Sequence, residues 1–261
     1  MSRPEIRKII ILGAGPLAVN LSMAIHKKGY DIVEVYNRSE SKGKELARRL
    51  KAGYIPEPEM IPPDADLYIL AVSDTAIPLL LKRIKTNRLI VHTCGSVRMD
   101  ILQSVSPNFG VIYPPQTFTV QKLLPFRKVP LCIEASSDLN LRLLRSFAES
   151  LSENVYSIDS DQRRVLHLSA VFAANFTNFM TAISQELVLE NGMDFGILGP
   201  IIRQTAANAS SGDVFGLQTG PAIREDLTTI RQHQDMLSSH PDYKEIYDLI
   251  TRKIIQRKKK S

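Results

Sequence analysis

Over residues 1–158 the apolar positions gather in short unbroken runs, separated by stretches with helical spacing. Ile9 to Leu12, Ile32 to Tyr36, Ala65 to Val72, Arg88 to His92, Gly110 to Tyr113, Val129 to Ala135 and Val155 to Ile158 read as strands. Runs without polar alternation are expected where both faces of a sheet are covered. Between them, Leu17, Leu21, Ala24 and Ile25 recur at helical spacing up to a stop at Gly29. Ser39 to Leu50 predicts an exposed helix capped by Ser39 or Ser41, with Leu46, Ala47 and Leu50 facing inward. Shorter helices are predicted over Ala76 to Arg83 and around Met99 to Ser104, and a longer one over Asp138 to Leu151. Ile55 to Pro63, with four prolines, reads as a loop. Strands and helices alternate too closely for hairpins, so a right-handed, doubly wound parallel sheet of the α/β class is the economical solution.

The period changes near Asp159. From there only helical segments are predicted: Ser160 to Asn191, Ile197 to Ala209, Ala222 to Ser238 and Pro241 to Lys258. The expected organisation is an α/β domain over 1–158 and a smaller all-helical domain over 159–261. The most apolar long segment, Leu166 to Leu189, carries Asn175, Asn178, Gln185 and Glu186, which predicts a buried helix and not a membrane span. At about 100° per residue, His167, Asn178, Thr181 and Gln185 share a narrow arc with Asn175 at its edge, surrounded by Leu168, Phe172, Phe176, Phe179 and Ile183. Such an arc needs a cavity, water or a partner subunit to satisfy it.

Charge changes this picture only at the C-terminus. The formal net charge is +6, and Arg252, Lys253, Arg257, Lys258, Lys259 and Lys260 contribute six positives with no acid among them. A basic tail of this kind reads as a solvated helix end, so neither nucleic acid nor a membrane surface is an expected partner. Cys94 and Cys132 show no metal spacing and no disulfide framework, and the first apolar run is interrupted by glycines instead of ending at a cleavage site. A cytoplasmic protein without a metal is the expectation.

Gly13, Gly15 and Ala18 follow the first strand directly and open a helix that leads to the second strand. In this context the glycines suit a dinucleotide turn: Gly13 for the tight bend, Gly15 for close approach to a pyrophosphate, Ala18 for helix–strand packing. Pro16 suits the first helical turn, and the helix start gathers N–H groups and partial positive charge for an anion. A bare structural turn, or S-adenosylmethionine, are the alternatives; the latter is disfavoured because Asn37 stands where an acid would hold the ribose. Asn37, Arg38 and Ser39 end the second strand, with Lys42 and Lys44 close behind, which favours the 2′-phosphate of NADP over the 2′-hydroxyl of NAD. A solvated polar loop is the competing reading. Glu34, inside the strand, should point to a sheet face. By the rule that ligands lie beyond strand carboxyl ends, Ser73, Asp74, Thr93, Ser96 and Gln116 should face the same crevice. The expected cofactor set is Gly13, Ala14, Gly15, Pro16, Leu17, Asn37, Arg38, Ser39, Val72, Ser73, Thr93 and Ser96.

Two segments are candidates for the chemistry. On the long helix, Asn175 and His167 are the candidate catalytic residues and Asn178 a candidate substrate contact; side chains satisfied in a helical core or dimer interface are the alternative. In GLQTGPAIRED, Gln218 and Thr219 stand before a predicted helix and Arg224 can pair with a carboxylate, unless Glu225 and Asp226 already neutralise it. Gln116 completes the candidate substrate set.

The glycine turn with YNRS, AVSD, HTCGS, YPPQTF, HLSAVFAANFTNFM and QTGPAIRED together resemble a prokaryotic family that joins an NADP-type Rossmann domain to a helical domain of unknown function. More distantly, the chain is similar to pyrroline-5-carboxylate reductase, deazaflavin-dependent NADP oxidoreductases and β-hydroxyacid dehydrogenases. The resemblance covers nearly the whole chain. It implies hydride transfer between NADP and a small carbonyl or imine, and a homodimer in which helical domains interlock around the site. In β-hydroxyacid dehydrogenases a catalytic lysine precedes the matched asparagine by one helical turn; here Asn175 is matched but Val171 holds the lysine position. That departure favours a C=N substrate. A dinucleotide-binding sensor or scaffold without turnover is the competing expectation, supported by the same missing lysine.

Overall fold

The computed structural model describes residues 6–210 and 212–259, so Lys260 of the basic tail lies outside the described residues. Lys8–Leu12 (β1) is the hub of an eight-stranded sheet, because its four aliphatic residues are buried on both faces. Ile9 and Ile11 join the core that includes Leu21 and Ile25 of Pro16–Lys27 (α1), Leu46 and Leu50 of Glu40–Leu50 (α2), and Leu144 and Phe147 of Asp138–Leu151 (α4). Ile10 and Leu12 join the opposite core, with Leu80 and Leu81 of Ile77–Leu81 (α3). One strand thus serves two layers, as an unbroken apolar run requires.

The remaining strands are Asp31–Tyr36 (β2), Gly53–Ile55 (β3), Leu67–Leu70 (β4), Leu89–His92 (β5), Phe109–Tyr113 (β6), Leu131–Ala135 (β7) and Val155–Ser157 (β8), in the order β3-β2-β1-β4-β5-β6-β7-β8. Neighbours are parallel except β6 and β7, which pair antiparallel with Ile112 opposite Ile133. Strand direction is not written in an apolar run, and the connection from Tyr113 to Leu131 contains only the 3-10 turn Phe126–Lys128 in place of a crossover helix. The short edge strand β3 was not expected either; it is too brief to carry a pattern.

Two compact units divide between Phe176 and Thr177. The first unit ends with Ser160–Ala170 (α5) and a π-helical turn over Val171–Phe176. A capping box starts α5: Asp159 Oδ1 accepts from the Gln162 N–H at 2.7 Å and Gln162 Oε1 from the Asp159 N–H at 3.0 Å. This is the physical origin of the period change at Asp159. The π turn inserts about one extra residue, so the arc drawn at constant α-helical spacing does not continue through it. Nor is the segment buried all round: Phe172, Phe176 and Phe179 are 61%, 48% and 50% exposed.

The second unit contains Thr177–Glu190 (α6), Gly199–Ala209 (α7), Pro221–Arg224 (α8), Leu227–Met236 (α9) and Pro241–Lys258 (α10). The helix predicted from Ala222 to Ser238 is split. Glu225 adopts a left-handed conformation (φ 55°), and Asp226 restarts the helix by accepting from the Thr229 N–H at 3.1 Å and its hydroxyl at 2.8 Å.

Candidate active site

The β1–α1 turn is built for close approach. Gly13 has φ +123°, and a Cβ there would lie 2.1 Å from the Ala71 carbonyl oxygen at the end of β4. Gly15 differs, since a Cβ there would meet no protein atom within 4 Å. Its missing side chain leaves open space in front of the α1 N-terminus. Asn37 fastens this turn to β2: its Oδ1 accepts from the Ala14 N–H at 3.0 Å, and its amide donates to the Ser39 carbonyl at 2.9 Å. Asn37 therefore shapes the turn through hydrogen bonds of its own.

A cavity of 390 Å³ opens over this turn, lined among others by Gly13, Gly15, Tyr36, Arg38, Val72 and Ser73. Beside it, an open pocket of 220 Å³ is lined by Ala14, Gly15, Asn37, Arg38, Ser39 and Lys42, a lining with two cations and no acid. The turn and these linings fit a dinucleotide with an additional phosphate on its adenosine half. Glu34 is outside both linings; its carboxylate lies over Gly53, where a Cβ would be 2.2 Å away, and burial raises its pKa. Sequence reasoning missed Tyr36, Pro58, Leu79 and Arg83 in the larger cavity. Arg83 is held across the loop by Glu57 at 2.9 Å and Glu59 at 2.7 Å, a pairing of residues more than twenty apart that no local spacing reveals.

Beyond β4, β5 and β6 the strand ends carry a second group of polar residues. Thr93 is buried and its hydroxyl donates to the Leu70 carbonyl at 3.3 Å. The Ser96 hydroxyl donates to Asp74. Burial pushes the Asp74 carboxyl up, but hydrogen bonds from Ser96 and Cys94 and the nearby His167 and His92 bring it below its ordinary value. Cys94 is buried, and its thiol is pushed far up by burial and by Asp74, so it stays protonated. His167, from α5, packs directly against the loop: a Cβ on Gly95 would lie 2.5 Å from its ring. Its Nδ1 is 3.2 Å from the Tyr113 hydroxyl. Burial raises the Tyr113 pKa, so the phenol stays protonated and can donate to Nδ1, leaving the imidazole proton on Nε2.

His92 lies behind this loop, fully buried, with Nδ1 accepting from the Cys94 N–H at 3.2 Å. Burial and the Arg163 charge push its pKa down to about 4. The unfolded value is near 6.5, so on acidification the unfolded state takes up the proton first. Stability from neutral His92 is complete above about pH 6.5 and is lost as pH falls toward 4. In urea unfolding, the loss between pH 7 and pH 4.5 should shrink by roughly 2 kcal/mol in His92→Asn. An unchanged pH dependence would assign that loss to other groups.

The other expected residues are dispersed. Pro16 and Leu17 form the first turn of α1. Gln116 is exposed on the loop after β6, its side chain accepting from the Thr117 N–H at 2.9 Å. Asn175 is exposed within the π turn, next to Val171 at its start. In the second unit, Asn178 is exposed on α6, Gln218 bonds the Thr219 carbonyl at 3.1 Å, and Thr219 lines a 330 Å³ groove with Met180, Leu187 and Tyr247. The acids flanking Arg224 are engaged elsewhere, Glu225 with Lys258 at 3.2 Å and Asp226 as the α9 cap. Arg224 makes no ion pair among the described residues, though its charge helps to lower the Asp226 carboxyl. Among the described residues no cluster suits a metal ion, and no helix is long and apolar enough to cross a membrane.

The fold and the glycine turn define a Rossmann-type protein, and residues 2–113 match the model of a Rossmann-like domain. Residues 129–254 match a domain of unknown function, DUF2520. The chain is 40% identical to a protein from Bacteroides fragilis described as a candidate NADP oxidoreductase, covering 96% of this chain and 98% of that one with a TM-score of 0.90. The chain belongs to the family that joins these two domains. A pyrroline-5-carboxylate reductase from Coxiella burnetii is similar at 18% identity and TM-score 0.59, covering 98% of each chain. An imine reductase from Myxococcus stipitatus, solved with NADP+, is similar at 15% identity and TM-score 0.70, covering 97% of this chain and 95% of that one. At those identities the last two share the fold. No protein of curated function matches the sequence.

Proposed function

We propose that this protein is an NADP-dependent oxidoreductase that transfers hydride between the nicotinamide and a small carbonyl or imine substrate. The observation that carries the cofactor choice is the 220 Å³ pocket, where Arg38, Ser39 and Lys42 face one space with no carboxylate. Arg38 can grip a 2′-phosphate bidentately, while Lys42 adds charge. The candidate NADP oxidoreductase at 40% identity and the NADP+-bound imine reductase support the same reading.

When bound, the cofactor supplies the hydride at nicotinamide C4. The chain contributes position and a proton. Gly13 and Gly15 admit the pyrophosphate, the α1 N-terminus complements its charge, and Val72, Ser73, Thr93 and Ser96 stand along the strand ends. His167, oriented by Tyr113 and Gly95, is the residue we assign to proton delivery through Nε2. Val171 offers no ammonium to polarise a ketone oxygen, whereas a C=N bond is basic enough to be protonated without one. We therefore favour an imine, with Asn175 and Gln116 of the first unit as the residues that contact it.

NADPH oxidation with cyclic imines, ketones and aldehydes, and NADP+ reduction with 2-hydroxy acids, test this. We expect turnover with an imine and a rate lowered at least tenfold in His167→Asn. No turnover with any of them, despite cofactor binding, would favour the sensor or scaffold reading.

We further propose a homodimer in a reducing cytoplasm, in keeping with the two free thiols. Ile197 and Ile201 are 68% and 63% exposed, and Phe179 and Leu189 are also open to solvent; we assign these exposed apolar side chains to the interface. Light scattering should give twice the chain mass, and Ile197→Asp with Ile201→Asp should give a monomer. A monomeric wild type would contradict the dimer.

A further inference from the structure

Arg163 is the largest fully buried side chain of the described residues. Its guanidinium donates to three carbonyls of one loop: Nη1 reaches Cys94 O at 2.7 Å, Gly95 O at 3.1 Å and Val97 O at 2.7 Å. Nη2 donates to Glu134 at 3.1 Å and to the Ser160 hydroxyl at 3.0 Å, and Ser160 in turn donates to Glu134 at 2.7 Å. The Arg163 and Glu134 side chains are 0% and 12% exposed. Nε has no partner. Burying such a pair is costly, and apolar residues of similar size often serve stability as well or better. Stability alone therefore accounts poorly for this cluster.

What the cluster does geometrically is tie α5 to the strand-end loop. Arg163 lies one helical turn before His167, and the loop whose carbonyls it holds contains Gly95, against which the His167 ring rests. The same loop carries Ser96 and follows Thr93, both on the nicotinamide side of the proposed cofactor path. Glu134, on β7, anchors the guanidinium from the far side. A lysine side chain has one nitrogen, so it could not hold the loop carbonyls and the Glu134–Ser160 pair from two separate atoms as Nη1 and Nη2 do.

Resting on the NADP-oxidoreductase reading, we infer that Arg163 is a positioning residue: it sets the Cys94–Val97 loop and the His167 ring as one unit at the nicotinamide end of the site. The adenosine end, at Arg38 and Ser39, is independent of it.

The test uses the full-length protein, with Arg163→Lys as the main variant and Ser160→Ala as a milder one in case the first folds poorly. Three readouts apply: calorimetric affinity for NADPH, calorimetric affinity for 2′,5′-ADP, and the NMR titration of the His167 ring, assigned with His167→Asn. We expect NADPH binding at least tenfold weaker, 2′,5′-ADP binding within twofold of wild type, and displaced His167 resonances, with smaller changes of the same kind in Ser160→Ala. Equal weakening of both ligands would overturn the inference by reducing Arg163 to general support of the fold, and unchanged NADPH affinity with unmoved resonances would overturn it outright. If the wild type bound neither ligand, the cofactor reading would fail by itself. The His167 resonances would still decide the inference then, displacement supporting it and wild-type shifts overturning it.

Discussion

Gly13→Ala should both destabilise the protein and abolish measurable NADPH binding, whereas Gly15→Ala should abolish binding alone. The two glycines look alike in sequence and differ in what surrounds them. At Gly13 an alanine would be forced to φ +123° with its Cβ 2.1 Å from the Ala71 carbonyl oxygen. The dihedral costs roughly 1–3 kcal/mol, and relieving the clash must move the β4 end, where the Ala71 N–H bonds the Leu12 carbonyl at 2.8 Å. At Gly15 the backbone is ordinary (φ −74°) and nothing of the protein lies within 4 Å. Only a bound pyrophosphate would meet that methyl. Thermal unfolding with and without NADPH separates the cases: Gly15→Ala should match wild type without ligand and lose the ligand-induced rise. A Gly15→Ala variant that kept the rise would place the pyrophosphate elsewhere.

The second large effect is on cofactor discrimination. Arg38→Ala should weaken NADPH binding roughly 10- to 100-fold, the equivalent of one charge-assisted, bidentate contact worth about 1.5–3 kcal/mol. NADH, which has no 2′-phosphate, should bind as before. Lys42→Ala should act in the same direction but less, because a single ammonium makes a weaker match to a phosphate than a planar fork. Raising salt should diminish the NADPH advantage, since the pocket is open to solvent. If Arg38→Ala weakened NADPH and NADH equally, the residue would be supporting the turn and not reading the phosphate.

The β1–α1 turn and the lining beside it are legible in the sequence because they depend on residues close together in the chain. Gly13, Gly15, Asn37 and Arg38 lie on one β-α-β passage, and the glycine spacing carries its own steric reason. What the sequence hid depends on contacts between distant segments. The Arg83 bridge to Glu57 and Glu59, and the Arg163 clamp on residues 94–97, are set by tertiary packing. His167 was picked out by its place on a helix, but its neighbours Gly95 and Tyr113 come from two other strand ends. The π turn at Val171–Phe176 was invisible because one inserted residue leaves the apolar composition unchanged. The same holds for exposure: Phe172, Phe176 and Phe179 are apolar as a buried helix would be, yet in one chain they face outward. Composition cannot tell a buried face from an exposed one.

In the proposed function, residues 37–42 select NADP for a redox site at the strand ends. Calorimetric titration of the wild-type protein with NADPH and with NADH, at matched ionic strength, tests it most directly. NADPH should bind at least tenfold tighter than NADH; equal affinity, or tighter binding of NADH, would refute selection by these residues.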